Sequence, residues 1–373
     1  MVQLLKQRQM LVSTEETRAA RRVGTGLSVA YVLDPRFPGG TSSAVAAELE
    51  VVTALADVQV YALETKMFGG RRIAPRLSDT LMRLKLPVQW DAKEIKADVV
   101  IFHNPSCLKF QEGIDVRLIA RHLIVVTHEN FLRPNGAPGF DVEKCLSQIA
   151  SASLALRRSL APISAWNRST TLEWCRENRS GNAWSILDQD WFNICSFEKE
   201  EPTSTPKDRR GRHSRPGLEK FPGYDAMACC FPATADSNVI LGADSFLRAG
   251  AAPPHWSLHP FGALTLKDYF DQIDFFVYFT SPVWRESFGR VIAEAIAAGK
   301  MVITDPETAR TFGGAAIEAT PEDVDQIVSS YIAEPDRYRG DILSAQEKLD
   351  RFSTEAFRDR FNVLVRQPMG VIP

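Results

Sequence analysis

Between residues 273 and 303 the chain spells out a complete structural unit. Ile273-Asp-Phe-Phe-Val-Tyr-Phe-Thr280 is a short apolar, aromatic-rich run of the kind that forms a buried strand, and Ser281-Pro-Val-Trp-Arg breaks it. From Phe288 the residues Val291, Ile292, Ala295, Ile296 and Ala298 recur at helical spacing. Gly299 stands where a helix C-cap glycine belongs, and Met301-Val-Ile303 begins the next strand. Strand, turn, helix, strand is the repeating unit of a parallel α/β sheet.

Glu286 falls in the loop of that unit and Glu294 in its helix. If Ser287 to Glu294 is one helical run, the two carboxylates lie about 12 Å apart and roughly 80° apart around the axis, on one side. That exceeds the roughly 5 to 9.5 Å of a glycosidase acid and base acting on one bond, so the pair is better suited to gripping two parts of one long ligand. Between them lie the first-turn amides of Ser287, Phe288 and Gly289, where a helix N-terminus favours an anion such as a diphosphate. A ligand with an anionic middle and hydroxyls at both ends describes a nucleotide-sugar. An ordinary βαβ unit, with Glu286 solvated and Glu294 paired, fits the spacing equally well.

The run Ser281-Pro-x-x-x-Glu286-Ser-Phe-Gly-Arg-x-Ile-x-Glu294-Ala-x-Ala-Ala-Gly299 resembles the E-x7-E signature of glycosyltransferase family 4. These are retaining enzymes of the GT-B fold, with two Rossmann-like domains facing across a cleft. The resemblance is strongest over 281–303, supportive at 208–222, 238–280 and 305–340, and weak before residue 195. It implies that Glu286 contacts donor-sugar hydroxyls, that the amides of Ser287, Phe288 and Gly289 approach sugar and phosphates, and that Glu294 holds the ribose hydroxyls.

A second constellation is Gly211-Arg212-His-Ser-Arg215-Pro-Gly-Leu-Glu-Lys220-Phe-Pro. Departure of a nucleoside diphosphate needs fixed positive charge at the developing oxyanions, and an Arg and a Lys in a turn at a strand end supply it; a basic linker edge accounts for the same residues. The stretch is similar to the family's G-R…K-G element, whose cations clamp the diphosphate, although the spacing here is longer and Phe221-Pro222 replaces the usual glycine. The resemblance assigns those catalytic roles to Arg212 and Lys220, with Arg215 as alternate. Pro38-Gly39-Gly40-Thr41-Ser42 is similar to the family's N-domain glycine loop, in which backbone approaches the donor, and a plain tight turn explains it as well. His128, after the strand-like Leu123–Val126, stands where the family places a histidine near the reaction centre. The same resemblance implies that the loop His259–Thr265, with Leu264, would meet the nucleobase.

Asp188-Gln-Asp190 is formally a D-x-D metal-nucleotide pair, but it precedes the interdomain segment. Asp190 is read instead as a cap or hinge residue, with no metal and no cofactor expected beyond the nucleotide-sugar substrate. Six cysteines without C-x-x-C spacing signal neither a disulfide framework nor a zinc site.

At 373 residues and 45% hydrophobic the chain has material for two domains. The expected division is a flexible tail over 1–22, an N-terminal Rossmann-like acceptor domain over 23–195, a polar linker over 196–207, and a nucleotide-sugar domain over 208–353. The resemblance implies that 354–373, with its amphipathic helix, crosses back to the first domain. In the N-terminal half, strands are expected at 27–33, 58–63, 97–103, 123–126 and 160–164, with helices at 44–55 and 170–177. The opening lacks a secretory h-region and no window reaches 18 uninterrupted apolar residues, so a cytoplasmic location is expected. Lys66, Arg71, Arg72, Arg76, Arg83 and Lys85 face only Asp79. That excess reads as a solvated basic face, an anionic-acceptor contact, or a peripheral contact with the inner membrane face. Nucleic acid is not expected, since the cations do not interleave with aromatics.

The resulting expectation is a metal-independent, retaining transferase that moves a hexosyl or deoxyhexosyl group from a UDP- or GDP-sugar to a hydroxyl of a glycan or lipid-linked acceptor, as in polysaccharide biosynthesis. The rivals are a GT-B-like nucleotide-sugar epimerase and a non-catalytic sugar-nucleotide-binding domain.

Overall fold

A strand buried on both faces needs helices above and below it, and the chain builds that arrangement twice. In the computed structural model, which describes residues 26–250 and 252–366, the chain divides into two units. The first runs to Leu132, resumes from Ala137 to Ile194, and takes in the last helix from Thr354; the second comprises Arg133–Gly136 and Cys195–Ser353. Segments 1–22 and 367–373 lie outside the described residues.

In the first unit, β1 (Ser28–Leu33), α1 (Gly40–Val52), β2 (Asp57–Ala62), α2 (Pro75–Arg83), β3 (Val88–Gln89) and β4 (Glu94–His103) are followed by β5 (Arg117–Thr127), α3 (Val142–Ser151), β6 (Ser153–Pro162), α4 (Ala165–Glu177) and β7 (Ser185–Ile186). The strands form one parallel sheet in the order β3-β2-β1-β4-β5-β6-β7. In the second unit the elements are β8 (Arg209–His213), α5 (Tyr224–Cys230), β9 (Ser237–Leu241), α6 (Asp244–Ala249), β10 (Ser257–His259), α7 (Leu266–Phe270), β11 (Phe275–Tyr278), α8 (Arg290–Ala297), β12 (Met301–Thr304), α9 (Pro306–Ala309), β13 (Ile317–Glu318), α10 (Val324–Ala333) and α11 (Pro335–Lys348). Its parallel sheet has the order β10-β9-β8-β11-β12-β13. Both are doubly wound sheets, each reversing direction at one point, between β1 and β4 and between β8 and β11.

Several elements differ from the sequence expectation, each for a physical reason. Strand β5 begins six residues before the apolar run 123–126, because Arg117–His122 alternates exposed and buried side chains at the rim of the sheet. Strand β6 likewise starts at Ser153, with Leu154 and Leu156 exposed. Helix α1 starts at Gly40 rather than Ala44, capped by no side chain. The basic segment contains the amphipathic helix α2, opened by Pro75 and burying Leu77 and Leu81. The final helix α12 (Thr354–Arg366) sets Phe357 and Phe361 edge-on to Trp191, with ring centroids 5.4 and 6.4 Å apart. Residues 196–207 carry no helix or strand and are fastened to the second unit: the Glu200 amide donates to Ala297 O at 2.8 Å and Gln346 donates to Glu200 O at 2.8 Å. No helix among the described residues is long and apolar enough to cross a membrane.

Helix α8 ends as its sequence indicates. Gly299 has φ +72°, its amide donates to Ile296 O at 3.1 Å, and the Lys300 amide donates to Ala295 O at 3.0 Å, a Schellman closure. A Cβ on Gly299 would lie 2.9 Å from the Glu200 carbonyl oxygen. Gly299→Ala is therefore expected to cost more than about 1 kcal/mol, read as a lower urea midpoint with an unchanged slope. A midpoint equal to that of the parent would contradict the close packing of 200–202 on this helix end.

Candidate active site

In an open parallel sheet, ligands bind outside the carboxyl ends of the strands where the winding reverses. In the second unit that point lies between the loops that follow β8 and β11. The loop after β8 carries Lys220, at the end of a short 3-10 turn, and the loop after β11 carries Glu286. Sixty-six residues apart in sequence, they meet: Lys220 Nζ donates to Glu286 Oε1 at 2.6 Å, and the Tyr278 hydroxyl donates to the same oxygen. Lys220 Nζ also lies 3.8 Å from the centre of the Trp284 ring.

Burial pushes the Lys220 ammonium below its ordinary range, an effect that Glu286 only partly offsets. Burial alone would raise the Glu286 carboxyl, yet Lys220, the Tyr278 hydrogen bond and Arg215 together hold it below the ordinary value. Glu286 thus stays a carboxylate, with exposed Arg215 as a second cation in electrostatic reach of both partners.

Arg212 occupies a different place from the one its sequence neighbourhood implies. It lies within β8 rather than in the turn, and its side chain is fully buried. The guanidinium donates to Phe279 O and Lys220 O, between the rings of Phe221 at 4.3 Å and Tyr278 at 4.7 Å. It therefore staples the two loops together instead of presenting charge to the crevice. Arg285 braces the second loop from the other side, donating to Ser281 O and Trp284 O and pairing with Asp305 at 3.3 Å and Glu307 at 3.5 Å.

Helix α8 starts at Arg290, three residues after the start assumed from spacing, because Gly289 turns the chain at φ +86°. Ser287, Phe288 and Gly289 precede the helix, so the amides outside its own ladder begin at Arg290. The Phe288 side chain packs with Phe312 and Phe352, leaving only its backbone for a ligand. Glu294, on α8, pairs with Arg290 at 3.1 Å. Leu264 is half-buried in the loop between β10 and α7, whose exposed Phe261 stacks on His213, at the end of β8, with centroids 6.1 Å apart.

In the first unit the reversal lies between β1 and β4. Asp34, after β1, accepts from Arg36 Nε and Nη2 at 2.9 and 2.8 Å and from the Thr65 amide and hydroxyl, which stitches this loop to the one after β2. Gly39 caps α1 in an extended conformation, Gly40 is the first helical residue, and Thr41 accepts a 3.4 Å hydrogen bond from Asn104. Asn104 itself sits at φ +61°, an uncommon conformation for a residue other than glycine. His128 follows β5 and its Nε2 lies 3.0 Å from His103 Nδ1; His103 Nε2 in turn lies 3.4 Å from Glu48 Oε2. Beside the loop after β1, Arg36, Arg71, Arg72, Ser78 and Asp79 line a cavity of about 370 Å³.

Asp190 accepts from Arg168 at 2.6 Å through its carboxylate and from Arg360 through its carbonyl, which ties α4 and α12 together inside the first unit. The residues that sequence reasoning missed are Tyr278, Trp284, Glu48 and His103. Glu48 alone left a trace, as a single charge on the apolar face of Ala44–Val52.

No family model matches the chain, and no curated protein matches it by sequence. Among solved structures, HepE of Anabaena in complex with UDP and glucose aligns with 92% of this chain and 100% of its own at a TM-score of 0.60 and 14% identity. Sucrose-phosphate synthase from Thermosynechococcus elongatus aligns with 91% of this chain and 98% of its own at 0.57 and 12%. An α-glucosyltransferase in complex with UDP aligns with 91% of this chain and all of its own at 0.51 and 12%. The fold is GT-B. Within that fold the Lys220–Glu286 pair occupies the winding reversal of the C-terminal Rossmann-like unit.

Glu286→Gln strands a buried ammonium beside Trp284 and is expected to lower stability by about 3 to 5 kcal/mol. Replacing both partners, Lys220→Met with Glu286→Gln, should recover a large part of that loss in urea unfolding. Additive losses in the double variant would mean that the two side chains are not a coupled pair.

Proposed function

We propose that the protein is a retaining glycosyltransferase of family 4 type, moving a sugar from a nucleoside-diphosphate sugar to a hydroxyl of a glycan or lipid-linked acceptor. The observation that carries this reading is the buried Lys220–Glu286 pair at the winding reversal, eight residues before Glu294. Likeness to GT-B structures solved with UDP and glucose, and with UDP-glucose, supports it.

In this reading Glu286 accepts hydrogen bonds from donor-sugar hydroxyls. Its charge is kept by Lys220, and its position by Tyr278 and by the loops that Arg212 and Arg285 fix. Glu294 exchanges part of its bond to Arg290 for the ribose hydroxyls. The diphosphate lies against the first amides of α8 with Lys220 and Arg215 as its cations, so that charge growing on the leaving oxygen is met by groups already in place. Arg215 takes the role that the sequence resemblance gave to Arg212, because Arg212 is consumed by carbonyl oxygens. The acceptor hydroxyl attacks from the face the diphosphate leaves and gives its proton to the departing phosphate oxygen, which retains the anomeric configuration. Buried Lys220, with Arg215 in electrostatic reach, supplies the charge stabilisation without a metal. The arginine-lined cavity of the first unit suits an acceptor bearing an anionic group.

Incubation with UDP- and GDP-sugars, with and without hydroxylated acceptors, tests this directly. Free nucleoside diphosphate and an acceptor-linked sugar of unchanged anomeric configuration are expected, and chelator should leave the rate intact. Isomerised or hydrolysed donor without acceptor would favour an epimerase, and binding without turnover a sugar-nucleotide-binding protein. Glu294→Ala should weaken the free nucleoside diphosphate about ten- to a hundredfold by calorimetry, whereas Glu286→Ala should spare the diphosphate and lose turnover. Equal losses on both ligands would overturn the division of roles.

A further inference from the structure

The cavity beside the loop after β1 has no part in the donor chemistry. Two loops and a helix build it: Arg36 comes from the loop after β1, Arg71 and Arg72 from the loop after β2, and Ser78 and Asp79 from α2. Both loops lie at the carboxyl ends of paired parallel strands, the side on which such sheets bind ligands. A volume of about 370 Å³ is that of a small-molecule site.

Arg36 is buried and held fast by Asp34 and by Thr65 O, which accepts from Nη2 at 2.9 Å. Arg71 is exposed and has no carboxylate partner among the described residues; its guanidinium lies 5.9 Å from the centre of the Phe68 ring, which Phe37 braces edge-on at 5.0 Å. Arg72 is exposed next to it. Ala74 and Pro75 also line the cavity, so the start of α2 brings the positive end of its dipole to the wall. Ser78, within the same turn, is only 9% exposed, and its hydroxyl has no hydrogen-bond partner among the described residues. A buried hydroxyl left in that state is available to a ligand that fills the cavity. Forked cations, a helix N-terminus and a hydroxyl donor are together the groups that hold phosphate oxygens. Asp79, exposed in the same lining, repels a bare anion and accepts from hydroxyls, so it suits the remainder of a ligand whose phosphate lies at the arginines.

We infer that this cavity binds a phosphate ester of a sugar or other polyol, with the phosphate held by Arg71, Arg72, Ser78 and the start of α2, and a hydroxyl held by Asp79. Resting on the transferase reading above, that ligand is the acceptor. A soluble phosphosugar and a phospholipid headgroup offer the same chemistry, and the experiment separates the two sources.

Binding can be read without any activity. The full chain is titrated in a calorimeter with glucose 6-phosphate, glycerol 3-phosphate and glucose, and with phosphatidylcholine vesicles with and without phosphatidylglycerol. A phosphate ester, free or in the vesicle, should bind, and glucose and phosphatidylcholine alone should not; which of the two forms binds assigns the source. Arg71→Gln with Arg72→Gln should weaken that binding at least about tenfold. Both side chains are exposed, so the urea midpoint should not move. Ser78→Ala, which changes no charge and favours the helix, should weaken it severalfold. Glucose binding as well as its phosphate, no binding of any phosphate-bearing probe, or an unchanged affinity in the arginine variant overturns the proposal. So does a loss in the arginine variant with none in Ser78→Ala, which is the behaviour of a diffuse basic face. Where turnover is measurable, the arginine variant should raise the KM for a phosphorylated acceptor more than the KM for the donor. Phosphate-ester binding with these variant effects in a protein that turns over no nucleotide-sugar would refute the transferase reading and leave the site standing. Transfer to unphosphorylated acceptors at a rate the arginine variant does not alter would do the reverse.

Discussion

One side chain holds the second unit's site together. The Arg212 guanidinium, flat between Phe221 and Tyr278, donates to the carbonyl oxygens of Phe279 and Lys220, and so joins the loops after β8 and β11. Loops at strand ends otherwise have few regular backbone partners. A buried cation that satisfies two such carbonyls fixes their separation, and with it the distance between Lys220 on one loop and Glu286 on the other. Arg285, anchored on Asp305 at the start of α9, fixes the outer end of the second loop. The Lys220–Glu286 pair is thus held between loops that Arg212 and Arg285 both tie down.

Both units solve the same electrostatic problem in different ways. In the second, Lys220 and Glu286 are withdrawn from water as a pair, with Tyr278 and Trp284 completing the shell. In the first, buried Glu48 lies 3.4 Å from His103, whose other ring nitrogen meets His128 at 3.0 Å. Buried charge of either kind is weak evidence for stability, since an apolar replacement often packs as well. In both units such a group lies at the winding reversal of the doubly wound sheet, the place where open parallel sheets bind ligands.

The β11–α8–β12 unit was legible because a parallel strand covered on both faces reads as an unbroken apolar run, and because a C′ glycine marks a helix end. Where the sheet emerges from its helical cover the signal fades, which is why the first parts of β5 and β6 and the whole of α2 escaped. The amphipathic stripe of α2, Leu77 and Leu81, was masked by the surrounding arginines. The start of α8 was misread by three residues because Gly289 looked like a first-turn residue, and only its positive φ shows that it is the turn itself.

Local chemistry written in consecutive residues, such as the two glutamates, the cation-bearing loop and the closing Gly299, was determined by the sequence alone, because helix and strand periods convert spacing into geometry. Which charge meets which was decided by the tertiary structure. Arg212 and Arg215 are three residues apart and chemically identical, yet one is sealed under two aromatic rings and the other is exposed. Glu48, His103 and His128 carry no shared motif and come from a helix and the ends of two strands. They meet because parallel pairing lines up carboxyl ends from distant parts of the chain, and because burial then forces each polar group to find the partner that water no longer provides.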